Sequence, residues 1–229
     1  MTLKKEKTMP DSNAENELRA EVRTPMGSRQ YDSKNRFVSY WHQIDEILER
    51  APGTVLEIGS GNGFTAGYLR RRGIDISTLD VNESLKPDYV GSVLDLPFPD
   101  RSFDMVVCFE ALEHLPYESV SAALANIRRV AARYSVISLP DRSRTIRIHV
   151  DIPRLLRFRT LFAPPQFARP HSGYGGGHCW EIGRVGFPLK RVTRDIEAAG
   201  FTIESTFRIF ENPLHRFFRL SCAAVDATP

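Results

Sequence analysis

The run Val55-Leu56-Glu57-Ile58-Gly59-Ser60-Gly61-Asn62-Gly63-Phe64 constrains the fold more than any other stretch of the chain. A short aliphatic segment carries one acidic residue, and glycines follow at alternating positions. Such a pattern predicts a buried strand that delivers the backbone into a tight turn, where a nucleoside-bearing ligand can lie against bare peptide groups. Phe64-Thr65-Ala66-Gly67-Tyr68-Leu69-Arg70-Arg71 then reads as an amphipathic helix. Its first amides and its dipole would face the crevice. Strand, glycine turn and helix in this order imply a nucleotide-like cofactor.

The two hydrophobic periods then alternate along the chain. Phe37, Tyr40, Trp41, Ile44 and Leu48 recur at helical spacing, so residues 34–50 are expected to form an amphipathic helix that ends at Pro52-Gly53. Strands are expected over 54–58, 74–79, 89–91, 103–108 and 134–139, with helices over 63–72 and 117–132. A helix over 190–199 leads through Gly200 into a strand over 201–210, and 214–225 supplies a last strand. Alternation of this kind implies a parallel sheet covered on both faces.

Glycine spacing separates two cofactor classes. The dinucleotide fingerprint Gly-x-Gly-x-x-Gly/Ala wants a small third residue, and that place holds Phe64. The third glycine is instead Gly63, giving Glu57-x-Gly59-x-Gly61-x-Gly63. Asp80 follows the strand Ile74-Asp75-Ile76-Ser77-Thr78-Leu79. Asp95-Leu96-Pro97-Phe98-Pro99-Asp100 leads through Ser102-Phe103-Asp104 into Met105-Val106-Val107-Cys108-Phe109, and Glu110-Ala111-Leu112-Glu113-His114-Leu115-Pro116 comes next. This ordered series, over roughly residues 53–140, resembles the small-molecule ("type 11"-like) branch of the class I S-adenosylmethionine-dependent methyltransferases. The resemblance implies a Rossmann-like α/β fold with a mostly parallel seven-stranded sheet, helices on both faces and an antiparallel C-terminal strand. The cofactor it implies is S-adenosyl-L-methionine, bound by Glu57, Gly59, Ser60, Gly61, Asn62, Gly63, Asp80, Val81, Asp95, Leu96 and Phe109.

Each of these positions has a physical reading. An acid at the tip of the second strand can accept hydrogen bonds from both ribose hydroxyls. Asp80 fits that place, although alone it would read as a solvated turn residue. Asp95 can accept from an adenine amine, although before Leu96-Pro97 it also suits an Asx-turn. Glu57 would favour the cationic amino group and sulfonium of the methionine end.

Chemistry is expected at the carboxyl end of the fourth strand. Glu110, Glu113 and His114 stand there at i, i+3 and i+4, and one helical turn would bring them to one side. Methyl transfer is an in-line displacement that gains most from positioning. A hydroxyl acceptor must also lose its proton, for which a histidine with an ordinary pKa of about 6.5 is suited. His114 and then His178 are the candidates. Glu-x-x-Glu-His with a later His beside an aromatic-Glu pair also resembles two metal-assisted branches, the small-RNA 2′-O-methyltransferases and the ubiquinone-pathway O-methyltransferases. Carried over, Glu110, Glu113, His114 and His178 would hold a divalent cation. Otherwise Glu113-His114 supports the cofactor pocket and His178 belongs to the lid. Phe109-Glu110-Ala111-Leu112 stands where amino-group methyltransferases acting on bases carry Asn-Pro-Pro-aromatic, so the expected acceptor is a hydroxyl on a small molecule, lipid or sugar.

Composition bounds the partners. In 229 residues with 41% hydrophobic side chains there is core enough for one domain over 30–229. Residues 1–29 are charged and poor in aliphatics, and read as a loose tail rather than a signal peptide. Three cysteines without a Cys-x-x-Cys pair, and no membrane-length apolar run, suit a cytoplasmic chain. A net charge of +3 is too small to call for nucleic acid. Its distribution is uneven: between Arg142 and Arg169 lie seven arginines and the single acid Asp151, within a lid insertion over 141–189. The insertion is expected to be a lid helix with its apolar residues on the domain, and its arginines would alternatively meet an anionic membrane or a phosphorylated substrate. Gly173 to Gly177 reads as a hinge before His178-Cys179-Trp180-Glu181. Two other functions remain open at this point: an idle methyltransferase-like domain that binds a partner or membrane, and a nucleotide-cofactor oxidoreductase.

Overall fold

The computed structural model describes residues 32–164 and 177–222. The expected tail over 1–29, most of the glycine hinge and residues 223–225 lie outside the described residues. Strand β1 (Thr54–Ile58) is followed by helix α2 (Phe64–Arg71), β2 (Asp75–Asp80), the short β3 (Tyr89–Val90) and β4 (Phe103–Phe109). Helix α3 (Tyr117–Val130), β5 (Ala131–Pro140), α4 (Leu189–Ala198), β8 (Thr202–Arg208) and β9 (His215–Ser221) complete the main sheet, and α1 (Lys34–Arg50) precedes it. Its strand order is β3-β2-β1-β4-β5-β9-β8. All pairings are parallel except those of β9, which runs antiparallel to both β5 and β8.

The central strands are apolar on both sides because helices cover both faces. One core layer joins Leu56, Val106 and Ile137 to α3 and α4 through Leu124, Ile127, Val192 and Ile196. The other joins Val55, Met105 and Val107 to α1 and α2 through Ile47, Ala66 and Leu69. The chain runs from β1 outward through β2 to β3 and then crosses back to β4 on the other side of β1, so the carboxyl ends of β1 and β4 flank the crevice where such folds bind ligands.

Helix α1 forms where its period predicts, with Ser33 capping it by accepting from the Arg36 amide at 3.4 Å. Its buried face differs from the expected one. Ser39, Tyr40, Gln43, Glu46 and Ile47 point inward, whereas Trp41 is 59% exposed and Phe37 46%. The reason is polar pairing across the interface. Gln43 accepts from the Thr65 hydroxyl at 2.9 Å, and Glu46 takes the Arg219 guanidinium through contacts of 2.6 and 2.7 Å. Periodicity alone does not register such partners.

Where the insertion after β5 is described, it holds a β-hairpin in place of the expected lid helix. Residues Ile146–Ile152 (β6) and Leu156–Phe162 (β7) form a separate antiparallel hairpin. Ile146-Arg147-Ile148-His149-Val150-Asp151-Ile152 alternates with period two, which suits a strand. Pro153-Arg154 turns the chain, the Leu155 amide donates to the Ile152 carbonyl at 3.0 Å, and Arg154 sits at φ 66°. Among the described residues no helix is long and apolar enough to cross a membrane.

Candidate active site

The glycine turn is built around left-handed backbone. Gly59, Gly61 and Gly63 have φ of 73°, 53° and 69°. At Gly59 a side chain is excluded twice, because an added Cβ would lie 2.7 Å from the Ala111 Cβ. Gly63 faces open space, and Asn62 Oδ1 accepts from the Phe64 amide at 3.1 Å, starting α2. Asp80, at the tip of β2, accepts from the Gly61 amide at 3.3 Å and the Asn82 amide at 2.9 Å, tying the turn to the next strand. Glu57 lies beneath the turn with Oε2 buried and without a hydrogen-bond partner among the described residues. Burial pushes its carboxyl up to about 8, with nearby Asp80 adding, against the Ala66 amide and Arg70. A buried carboxylate oxygen lacking a donor, beside side-chain-free backbone, fits a cationic amino group brought by a ligand.

Across the crevice a short 3-10 turn, Leu112–His114, follows β4. The segment after the hairpin clamps it: the Cys179 amide donates to the Glu113 carbonyl at 2.7 Å, and the buried Trp180 Nε1 donates to the Leu112 carbonyl at 3.2 Å. This clamp brings His178 within 3.9 Å of a Glu113 oxygen, and the His114 and His178 rings lie 5.0 Å apart, edge to face. Glu113, His114 and His178 offer ligand atoms all within 4.8 Å of one another. His114 Nδ1 lies 3.2 Å from the Gly177 carbonyl and His178 Nδ1 lies 3.1 Å from Glu181 Oε1. With each Nδ1–H so engaged, both Nε2 lone pairs are left available.

Electrostatics in this cluster are divided. Both Glu113 oxygens are buried without a hydrogen-bond partner among the described residues, and burial, then Glu110 and Glu181, raise its carboxyl well above the usual range. Burial favours a raised pKa at Glu181 too, but hydrogen bonding from His178 and the Arg142 and Arg184 guanidinia outweighs it and holds the group at about 2. Burial, with His178 adding, keeps His114 below its ordinary value against the Gly177 carbonyl. A buried, partnerless carboxylate flanked by two imidazoles with free Nε2 atoms is a donor set that fits a divalent cation.

Residues 56–138 match the family model described as a methyltransferase domain. An uncharacterized methyltransferase of Staphylococcus carnosus is 33% identical over 97 residues, covering 38% of this chain and 46% of that protein. This stretch is therefore similar to methyltransferase domains, and the strand order is that of the Rossmann-like methyltransferase fold. The ubiquinone biosynthesis O-methyltransferase of Aliivibrio fischeri is 30% identical over 115 residues, covering 40% of this chain and 49% of that protein. The chain thus spans about half the length of these curated relatives. The N-methyltransferase NodS of Bradyrhizobium japonicum, solved with S-adenosyl-l-homocysteine, superposes with a TM-score of 0.59 at 14% identity, over 91% of this chain and 98% of that one. That likeness is one of fold.

Within this fold the residues expected to form the site fall into three groups. Glu57 in β1, Gly59, Ser60, Gly61, Asn62 and Gly63 in the turn that follows it, and Asp80 at the tip of β2 lie together, with the exposed Val81 just beyond and the exposed Asp95 after β3. Leu96 and Phe109 are core residues: Leu96 belongs to the layer under α3, and the Phe109 ring packs on Phe217 at 5.9 Å. Glu113, His114 and His178 come together as described. Glu110 leaves that group, because the 3-10 turn begins only at Leu112 and Glu110 itself adopts φ 50°. Its carboxylate lies 3.6 Å from His215, whose Nδ1 is 3.1 Å from the buried Ser39 hydroxyl. His215 escaped the sequence reading, since nothing local marks the first residue of β9. Glu181 was legible as the third residue after His178, but its pairing with Arg142 and Arg184 was not.

Proposed function

We propose that this chain transfers the methyl group of S-adenosyl-L-methionine to a hydroxyl of a small-molecule, lipid or sugar acceptor. The observation that carries the cofactor is the partnerless Oε2 of Glu57 beneath a turn with three left-handed glycines. Glu57 would take the cationic methionine end, and Asp80 the ribose hydroxyls through its remaining lone pairs. On the acceptor side, His178 Nε2 takes the hydroxyl proton as the oxygen attacks the methyl carbon. The carbon–sulfur bond breaks, its electron pair stays on sulfur, and the sulfonium becomes a neutral thioether. Glu181 orients His178 by accepting from Nδ1 and stabilises the imidazolium that forms. The choice of oxygen rests on the two imidazoles and on Phe109-Glu110-Ala111-Leu112 in place of an amine-methylating motif.

One observation favours a second role for the same cluster. Both Glu113 oxygens lack partners while two imidazole nitrogens face them. Glu113, His114 and His178 would hold a divalent cation, which when bound acidifies and orients an acceptor hydroxyl. Three measurements test these readings. Calorimetry is expected to show S-adenosylmethionine binding that Asp80→Ala weakens by about 1–3 kcal/mol; unchanged affinity removes Asp80 from the site. Label from the methyl group should appear on oxygen across an acceptor panel. Label on nitrogen overturns the hydroxyl reading, and tight binding without any transfer favours an idle binding domain. Chelation followed by Mg²⁺, Mn²⁺ or Zn²⁺ addition separates the readings of the histidine cluster: loss and recovery of turnover supports the cation, and indifference leaves His178 as base.

A further inference from the structure

The β6–β7 hairpin stands apart from the main sheet and has two unlike faces. Register pairs Ile146 with Phe162, Val150 with Phe158 and Ile152 with Leu156 on one face. Arg147, His149 and Arg159 occupy the other, which turns toward the domain. There Arg147 donates to the Glu211 carbonyl at 2.8 Å and Arg159 to the Glu211 carboxylate at 3.2 Å, with both guanidinia over the Phe210 ring. The apolar face is therefore directed away from the described part of the domain: Ile146 is 50% exposed, Phe158 48% and Phe162 54%. At the tip, Leu155 is 79% exposed, more than any other large apolar residue described, and Leu156 is 50%.

An apolar face of this kind on a two-stranded hairpin calls for a partner. Charge identifies it. From Arg142 to Phe162 there are six arginines and one acid, Asp151. Arg154 and Arg157 flank the exposed leucines at the tip, and the Arg157 side chain is 73% exposed beside its exposed contact to Asp151. A second copy of the chain would bring two such arginine-rich tips together, which like-charge repulsion opposes. A bilayer with anionic headgroups satisfies both features, taking the leucines among the acyl chains and the arginines at the phosphates. We propose that the hairpin is a docking element for an anionic lipid surface, with Leu155 and Leu156 entering the interface. The proposal is independent of methyl transfer, and its test requires no turnover.

Co-sedimentation of the full chain with phosphatidylcholine vesicles, with and without phosphatidylglycerol, tests it. Binding is expected to be at least about tenfold stronger to the anionic vesicles and to weaken as salt rises. The double variant Leu155→Ser/Leu156→Ser should bind at least about tenfold more weakly. Arg154→Gln and Arg157→Gln should each reduce the anionic preference about fivefold. All variants should keep the wild-type unfolding midpoint and S-adenosylmethionine affinity, which separates docking from misfolding. Equal partition onto neutral vesicles overturns the proposal, as does wild-type binding by the leucine variant. Self-association that the leucine variant abolishes, in place of vesicle binding, assigns the face to a second copy. Displacement from vesicles by millimolar inorganic phosphate assigns the arginines to a soluble phosphorylated ligand.

Discussion

Glu57 sits in an environment that its position in the sequence does not convey. Its folded carboxyl is raised by burial from the ordinary 4.5 to about 8. The folded chain thus holds this proton more tightly than the unfolded chain. The associated stability is full below pH 4.5 and is lost as the pH rises through about 8. Urea titrations between pH 5 and 8.5 should show a decline that Glu57→Gln flattens. A parallel slope in the variant would reject the shifted carboxyl. Affinity for the cationic cofactor should change in the opposite sense, tightening as Glu57 ionises. Gly59 is the other decisive residue. Gly59→Ala places a Cβ 2.7 Å from Ala111 at φ 73°, and is expected to cost about 2 kcal/mol or more of stability by urea titration.

Among the elements, the 3-10 turn Leu112–His114 shows how a site is assembled by packing rather than by propensity. Three residues of such a turn have little stability of their own. Here the turn is held by Trp180, which is fully buried and hydrogen-bonded to Leu112, and by the Cys179 amide. Trp180→Ala should lower unfolding stability by about 3–5 kcal/mol through lost packing. Trp180→Phe keeps most of that packing and loses one hydrogen bond, worth about 1 kcal/mol. If the clamp positions His178, the Phe variant should lose more turnover than cofactor affinity; equal losses would make Trp180 a core residue only. The hairpin teaches the complementary lesson. Its period-two alternation was visible in Ile146 to Ile152, but the mixture of arginine, leucine and phenylalanine after Pro153 also suits an amphipathic helix. Strand pairing between the two halves decides the matter.

For the whole molecule, the cofactor should act as a structural ligand because its cradle joins β1, the start of α2 and the tip of β2. Binding confined to the folded state adds about 2.7 kcal/mol at a hundred times Kd. For a chain of this size that corresponds to a rise of about 5–10 °C in Tm, readable by calorimetry. No rise at saturating S-adenosylmethionine would sever the cradle from the cofactor. The arrangement of layers also decides which face of α1 is buried. Its apolar period predicted the helix, yet the helix docks through Gln43, Glu46 and Tyr40, because Thr65, Arg219 and Phe64 await them on other elements.

What the sequence determined by itself is local: a strand, three alternating glycines, a helix, an acid at the next strand tip, and the alternation that makes the sheet parallel. These follow from backbone sterics and from periods spanning a few residues, so contiguous side chains suffice to reveal them. The tertiary structure alone decided that His178 meets Glu113, that Glu110 turns to His215, and that an apolar hairpin face looks outward. Each of these depends on segments far apart in the chain, brought together by the burial of Trp180, by the antiparallel entry of β9 between β5 and β8, and by Glu211 anchoring the hairpin's basic side.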